Sequence, residues 1–590
     1  MRWLLNRFNS RRLNLRRFVV AAVAIGLCLQ GPVRAFAPRS AELLELTGQI
    51  RKPLPTQRLA QEDLKDKLED FDYWQNLCEL QTDAKKYQEA LAACEQGIAL
   101  EPKDAPIWAD HSGVLLALEQ YPEAIASAER ALQFDPENSL AYTYICLSFL
   151  ALENYEAALD ACNQALKVDG NWGRKSPALA WLNRGLILKR SKQYEQAMIA
   201  FDRTLLLEPK DSLTLAYRCE TLVHLKQYKD AIASCRRALA GNGRWGDKSA
   251  ALAWSNQGFA HSKLQQYEAA IAAYDRSISI DPNDTITWGR QGIVLETLGQ
   301  HQEALTSYDR SIKLKSDYSL ALVGRCTMLN KLKQYKEALK SCDAALAGDE
   351  NWRDAGPAQA WDQRGNALSG QGKYEEALAS ANRAVGINPN YAEAWSNRSV
   401  TFWYLQQYDD AIASAERAIA IRPDYARAWF NKGAILGVLG EDASAIAAYD
   451  QALRGDLSLG ERPMLANIWA NRSATLWRLG QYKKALKSAD AALEINPDAI
   501  QGWFNRGLAL AALGRYRDAL NAYDEAIKIA PESAYLWNAK GVALLNLGQD
   551  KDALAAFEKA LELNPNYAPA QENQKIVQEK LNPEPEGENS

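Results

Sequence analysis

Histidine is scarce in this sequence: His111, His224, His261 and His301 are the only four in 590 residues, and they stand far apart. No segment matches a phosphate-binding glycine loop, a dinucleotide fingerprint, a nucleophile elbow or a metal-ligand spacing. The expectation is a chain that is not an enzyme and takes no cofactor and no metal. A basic excess is missing as well. The formal net charge is −4, whereas nucleic-acid binders present a positive face, so no nucleic-acid partner is expected. The most apolar stretch, FVVAAVAIGLCLQG, falls short of the roughly 20 residues a bilayer span needs. What the chain does hold is 47% hydrophobic and 24% charged residues, with 17 Trp and 25 Tyr. Such a mixture favours packed helices over disorder.

Charge is uneven at the start. MRWLLNRFNSRRLNLRRF carries six arginines and no acid, the apolar stretch follows, and PVRAFA ends in Ala35-Phe36-Ala37. A basic n-region, an apolar h-region and a small-residue site read as an export signal over residues 1–37. Removing its seven arginines would bring the net charge to −11. Ser10–Leu15 partly matches a twin-arginine signal, with Asn14 where that pattern prefers an aromatic. Cys28 follows Leu27, which is too large for a lipoprotein cleavage site. The expected address is extracytoplasmic, the periplasm or an equivalent oxidising compartment. No stable membrane span is expected after cleavage, and membrane association only if the segment stays attached.

From there on, one unit recurs. Tyr-x-x-Ala starts at Tyr87, Tyr121, Tyr155, Tyr194, Tyr228, Tyr267, Tyr335, Tyr374, Tyr408, Tyr482 and Tyr516, with His301, Asp442 and Asp550 at the equivalent place. The spacing is 34 residues, or 39–40 after some copies, giving fourteen copies over residues 71–567. With that tyrosine at position 17, position 4 is often Trp, position 20 is always Ala, and position 32 is often Pro. Apolar positions 4, 8 and 11 form one helical stripe and 20, 24 and 27 another, and proline stops the second helix. Each copy is therefore a helix-turn-helix.

This pattern resembles the tetratricopeptide repeat over about 85% of the chain. The resemblance implies an all-α fold: a right-handed superhelical α-solenoid of stacked hairpins whose first helices line a concave groove. One hairpin cannot bury both its faces, so neighbours complete the core. Residues 38–70 form a lead-in, 568–582 a C-terminal capping helix, and 583–590 (PEPEGENS) a disordered acidic tail.

Eight of the nine cysteines fall at positions 8 and 24 of the same copy: Cys78 with Cys94, Cys146 with Cys162, Cys219 with Cys235, and Cys326 with Cys342. Other copies pair glycine at 8 with an aromatic at 24, as in Gly185 with Phe201 and Gly507 with Tyr523, or serine with alanine, as in Ser112 with Ala128. Only Gly365 with Ala381 departs from this. Volume compensation of that kind requires the two positions to touch. Four disulfides are the expectation in an oxidising compartment, and reduced buried thiols are the alternative. The loops after three of these pairs carry Trp172, Trp245 and Trp352, which either pack on the next repeat or meet a partner.

Many copies open with W-x-N-[RK]-[GS], which sets Asn183, Asn256, Asn397, Asn431, Asn471 and Asn505 at position 6. In peptide-binding tetratricopeptide arrays such asparagines face the groove and bond to peptide backbone, since an amide both donates and accepts. Here they either do so or bond only to their neighbours. Positions 5 and 12 add Phe430, Phe504, Trp403 and Trp477 to the C-terminal groove. The resemblance implies a scaffold binding an extended or helical segment of another protein or peptide, in assembly or biogenesis of envelope complexes. The alternatives are a redox-responsive module working through hairpin disulfides, and a binder of envelope polysaccharide or lipid.

Overall fold

The computed structural model describes residues 68–582 apart from 169, 174, 247, 353–355 and 457–461. The expected export signal, nearly all of the lead-in and the acidic tail lie outside the described residues. By its contacts the chain divides into Met1–Trp74 and Gln75–Ser590, and nearly every described residue belongs to the second unit.

Among the described residues there is no strand, and 29 helices follow one another as hairpins. Phe71–Asp83 with Tyr87–Leu100 opens the series, Ala534–Asn546 with Asp550–Leu563 is the fourteenth pair, and Ala568–Leu581 follows. The first helix of each pair is called A and the second B. The arrangement is an α-solenoid.

Local chemistry sets the ends of these helices. Where position 34 is Asp or Asn, its side chain caps the next helix A: Asp104 accepts from the Ile107 amide at 2.9 Å, Asn138 from Ala141 at 2.9 Å and Asp211 from Thr214 at 2.8 Å. Between A and B, position 15 takes the left-handed conformation. It does so with φ of 59–61° at Lys85, Glu119, Glu153, Lys192, Lys226, Gln265 and Lys333, and with glycine at Gly514 and Gly548. The tryptophan at position 4 is more than a stripe residue. Its indole N–H donates to the carbonyl of the proline that stopped the previous helix B, as in Trp108 to Pro102 (3.0 Å), Trp395 to Pro389 (2.9 Å) and Trp503 to Pro497 (2.8 Å). In the last helix Gln571 takes that role toward Pro565 at 2.8 Å.

The core runs between the helices of each pair and on to the next. Alanine at position 20 is fully buried in all fourteen copies, Ala90, Ala197 and Ala519 among them, because helix B comes closest to helix A there. Positions 8 and 24 do share one slot. A Cβ added at Gly185 would stand 2.5 Å from the Phe201 ring, at Gly507 2.3 Å from Tyr523, and at Gly541 2.5 Å from Phe557. Serine fills the slot differently, donating to the carbonyl at position 20: Ser112 to Ala124 and Ser473 to Ala485, both 2.7 Å.

In four copies sulfur fills the slot. The Cα atoms stand 5.1 Å apart in Cys78 with Cys94, 5.2 Å in Cys146 with Cys162, 5.3 Å in Cys219 with Cys235, and 5.5 Å in Cys326 with Cys342. All four separations lie within disulfide reach. A Cβ added at Gly365 would meet no ring, only the Ala377 carbonyl at 3.3 Å, Ser380 Cβ at 3.6 Å and the Ala381 N at 3.7 Å, so no large side chain fills its slot.

Successive repeats are laced by charge. The cation at position 7 reaches back to position 25 of the preceding repeat: Arg218–Asp202 at 2.7 Å, Arg325–Asp309 at 2.6 Å, Arg364–Asp343 at 2.7 Å and Arg506–Asp490 at 2.7 Å. The same guanidinium often lies over the tryptophan at position 4, as Arg398 does over Trp395 at 5.1 Å. The long loops pack inward. Trp245 rests on the cluster around Cys219 and Cys235, and Trp352 on Leu322, Val323, Ala345 and Ala360, while Trp172 is half-buried.

Candidate functional site

Helix A offers positions 2, 5, 6, 9, 12 and 13 on one face, and in repeats 8–14 this face is hollowed into three cups. The first is polar and about 630 Å³ in volume. Across its floor three A helices are joined by one string of hydrogen bonds. Asn330 Nδ2 donates to the Gln363 carbonyl at 2.8 Å, Gln363 Nε2 to Asp362 Oδ2 at 3.1 Å, and Asn397 Nδ2 to Asp362 Oδ1 at 2.9 Å. Asp362 is 2% exposed. Burial above all, helped by Glu393, pushes its pKa up to about 7, against the pull of the two amides and of Arg427. At the rim Arg422 pairs with Glu393 at 2.9 Å and lies 3.7 Å from the centre of the Tyr425 ring.

The second cup, about 280 Å³, is apolar and is lined by Val400, Trp403, Phe430, Ala434 and Ile435 together with Ser399, Asn431 and Asn471. The third, about 310 Å³, is built on Trp477, Phe504, Leu508, Tyr535 and Val542. There the Phe504 and Tyr535 rings meet edge to face at 5.0 Å. The four aromatics singled out in the sequence are thus brought together in two pairs, Trp403 with Phe430 and Trp477 with Phe504.

The position-6 asparagines are engaged inside the array. Asn183 and Asn256 donate to carbonyls of their own helix, Leu179 at 2.7 Å and Leu252 at 3.1 Å. Further on they reach position 5 of the preceding helix A: Asn397 to Asp362, Asn431 to Ser396 Oγ at 3.0 Å and Asn505 to the Ala470 carbonyl at 2.8 Å. Asn471 bonds to the Tyr449 hydroxyl, whose pKa is raised to about 12, mainly by burial. Asn431 and Asn471 line the second cup and Asn397 the first. Sequence reasoning did not find Asp362, Asn330, Gln363 or Arg422. The one available signal was an acid at position 5, where no other copy carries one.

In the N-terminal repeats the same face holds a cup of about 240 Å³ with Glu79, Asp83, Asp110 and Tyr144 around it. Burial, then Asp110 and Asp83, raises the Tyr144 hydroxyl pKa. The histidines take separate roles: His111 Nδ1 meets Ser127 Oγ at 2.8 Å, His261 Nδ1 meets Gln266 at 2.6 Å, and the His224 ring stacks on Tyr194 at 4.7 Å. Among the described residues no group of three or more His, Cys, Asp or Glu could hold a metal ion. None of the described helices is long and apolar enough to cross a membrane.

Fold and face together define a solenoid of tandem helical hairpins that offers a long, cupped surface. Tetratricopeptide repeat models match residues 81–144, 145–212, 251–284, 287–318, 358–391, 397–457, 466–499 and 504–568, more than half of the chain. The chain belongs to the tetratricopeptide repeat family, whose members bind other proteins or peptides. No curated protein matches it. Among solved structures, the APC/C hetero-tetramer Cut9–Hcn1 is 14% identical, with 86% of this chain and 96% of that chain covered and a TM-score of 0.41. YrrB, described as a protein of this family with an unusual peptide-binding site, is 21% identical over 34% of this chain and 99% of its own, with a TM-score of 0.29. PilF of Pseudomonas aeruginosa is 18% identical over 37% and 97%, with a TM-score of 0.34. Similarity this loose says nothing about what the present chain binds.

Proposed function

We propose that this chain is an exported scaffold that holds an extended or helical segment of another protein along the helix-A face of repeats 8–14, in assembly or biogenesis of envelope complexes. The observation that supports this reading is the pairing of Trp403 with Phe430 and of Trp477 with Phe504 in two adjoining cups. Aromatic anchors in preformed concavities carry a large share of binding energy at protein interfaces. In this reading the position-6 asparagines mainly hold successive A helices in register, and Asn431 and Asn471 are the ones placed to touch a partner.

Residues 1–37 act as the export signal, and the four cysteine pairs are oxidised after export. All eight cysteines, from Cys78 and Cys94 to Cys326 and Cys342, are fully buried, so a reductant reaches them only when a hairpin opens. That favours a static brace over a redox switch. Two measurements test the proposal. Peptides selected from a displayed random library on the folded protein should carry two apolar anchors and bind Trp403→Ser and Phe504→Ser at least tenfold more weakly, a loss of about 1.4 kcal/mol. Undiminished binding to both variants, with circular dichroism unchanged, would sink the groove reading. Sequencing of the mature protein should begin at Pro38, and an intact Met1 in exported material would remove the signal assignment.

A further inference from the structure

Repeats 1–3 turn a different chemistry to the helix-A face. Glu79 and Asp83 on helix Phe71–Asp83, Asp110 on helix Ala105–Ala117 and Tyr144 on helix Ser139–Ala151 line one cup of about 240 Å³. A single glycine brings the tyrosine to the acids. Gly113 is the only glycine at position 9 in the fourteen copies, and a Cβ there would stand 2.7 Å from the Tyr144 ring and 2.8 Å from its hydroxyl. The ring therefore lies across the second helix A at that gap.

Tyr144 is 9% exposed, and among the described residues its hydroxyl has no hydrogen-bond partner. It differs from Trp403 Nε1, which is also unpartnered but sealed within the packing, and from the indole of Trp477 at the same register position, which donates to the Leu508 carbonyl at 3.2 Å. The Tyr144 hydroxyl opens into a cup. Burial above all, then Asp110 and Asp83, opposes its ionisation, so it stays neutral and keeps its oxygen available to an incoming donor. Glu79 and Asp110 have further contacts inside the chain, and the hydroxyl is the group that a ligand would answer.

The surroundings narrow the ligand. Three carboxylates face one cation in the described lining, Lys175, which is exposed, so the cup repels anions and attracts cations. A metal ion does not suit it, since among the described residues no three acids could hold one. Pro106, Ala109 and Leu140 add apolar wall, which suits the methylene stem of a long cationic side chain. The volume lies below the roughly 300–1,000 Å³ of small-molecule sites and fits one side chain. The array makes such a pairing once by itself. Tyr217 is the only other tyrosine at position 6, and Lys189 of the preceding helix A stands 4.6 Å from its ring centre and 2.6 Å from Glu220. Around Tyr144 the positions of Lys189 and Glu220 are held by Leu116 and Leu147, so the A helices supply no such cation there.

We infer that the cup of repeats 1–3 is a second binding site, which takes a lysine or arginine side chain of a partner protein. The stem lies on Pro106, Ala109 and Leu140, and the charged end donates to the Tyr144 hydroxyl among the three carboxylates. The site stands apart from the aromatic cups of repeats 8–14 and does not depend on them.

The test titrates the full chain at low salt with N-acetyl-argininamide and N-acetyl-lysinamide, followed by the probes' own NMR signals. Both should bind, and N-acetyl-citrullinamide, the uncharged isostere of the first, should not. Tyr144→Phe removes only the hydroxyl and should bind roughly tenfold more weakly with an unchanged melting temperature. Asp83→Asn, an exposed position, should bind about two- to fivefold more weakly, and Tyr217→Phe as the parent does. Equal binding of the citrulline probe, or undiminished binding to Tyr144→Phe, overturns the inference. A loss in Trp403→Ser as large as in Tyr144→Phe would move the site to the C-terminal cups and overturn it too. Tighter binding of 1,5-diaminopentane than of N-acetyl-lysinamide would make the ligand a free amine and likewise overturn it. No binding of either cationic probe does the same, and the groove reading of repeats 8–14 is then still decided by its own peptide selection.

Discussion

Repeats 1–8 and repeats 9–14 build the same hairpin under different constraints. Four of the first eight slots are filled by cysteine pairs, and seven of those eight turns hold a non-glycine residue at positive φ. The last six repeats have no cysteine, and glycine takes five of their six turns. A side chain in the left-handed region costs on the order of 1 kcal/mol, while a cross-link closing a loop of about 15 residues contributes about 3 kcal/mol in the chain-entropy model. Closure by sulfur, as proposed, would offset strained turns in one half. The other half has relaxed turns, closes its slots with rings or small residues, and places further aromatics on the open face. In the proposed reading, bracing and aromatic binding are divided along the chain.

The comparison can be broken at the slot first. Tyr523→Ala empties a slot that a ring fills and should lower the local stability of repeats 12–14 by about 3–5 kcal/mol. Hydrogen exchange of the Tyr516–Ile529 amides reads this, and a loss spread evenly to repeat 1 would contradict nearest-neighbour coupling. Asp362 sharpens the second half. Its raised pKa, about 7 against 3.8, means that between pH 4 and 7 the folded chain binds more protons than the unfolded chain. Stability therefore falls as pH rises through that window and levels off above it. The fall is on the order of 4 kcal/mol, and Asp362→Asn should flatten the denaturation profile between pH 4 and 8. A slope of the same size in the variant would remove Asp362 as its cause.

Reduction comes next. Cys146→Ser with Cys162→Ser, or dithiothreitol on the exported protein, should cost repeat 3 about 3 kcal/mol and leave exchange in repeats 9–14 unchanged. An equal loss in both halves would erase the regional contrast. Lys226→Gly should stabilise its turn by up to about 1 kcal/mol, seen as a small rise in melting temperature. The smallest change is expected from Arg506→Ala, which removes a half-exposed pair with Asp490 and should cost about 1 kcal/mol or less.

The repeat, its two helices and the shared slot were legible because each rests on residues that recur at fixed spacing. Glycine opposite tyrosine at Gly507 and Tyr523 declares a contact through volume alone. The site was legible only in part. Trp403 and Trp477 occupy the same register position, so nothing in the letters separates a bonded indole from an unbonded one. That difference depends on where the carbonyl of the next A helix falls. The asparagines' partners were illegible for a similar reason: Asn431 finds Ser396, and Asn397 finds Asp362, on a neighbouring helix that periodicity within one copy does not reveal. Asp362 is set apart from the other acids only by its burial and its two amide donors, which are features of the fold.

The charge lacing between position 7 and position 25 has a mechanical side. Within a hairpin the two helices meet along a buried seam, whereas the joints between successive hairpins are edged by exposed or half-exposed ion pairs. Tension on the array should open the joints between hairpins before the hairpins themselves, making it a spring of stiff coils and yielding joints. Added salt softens only the joints, because it screens the exposed pairs. A segment gripped across repeats 8–12 would sense every such extension as a change in the pitch of its handholds. Pulling on one end of the spring would therefore be a way of letting go.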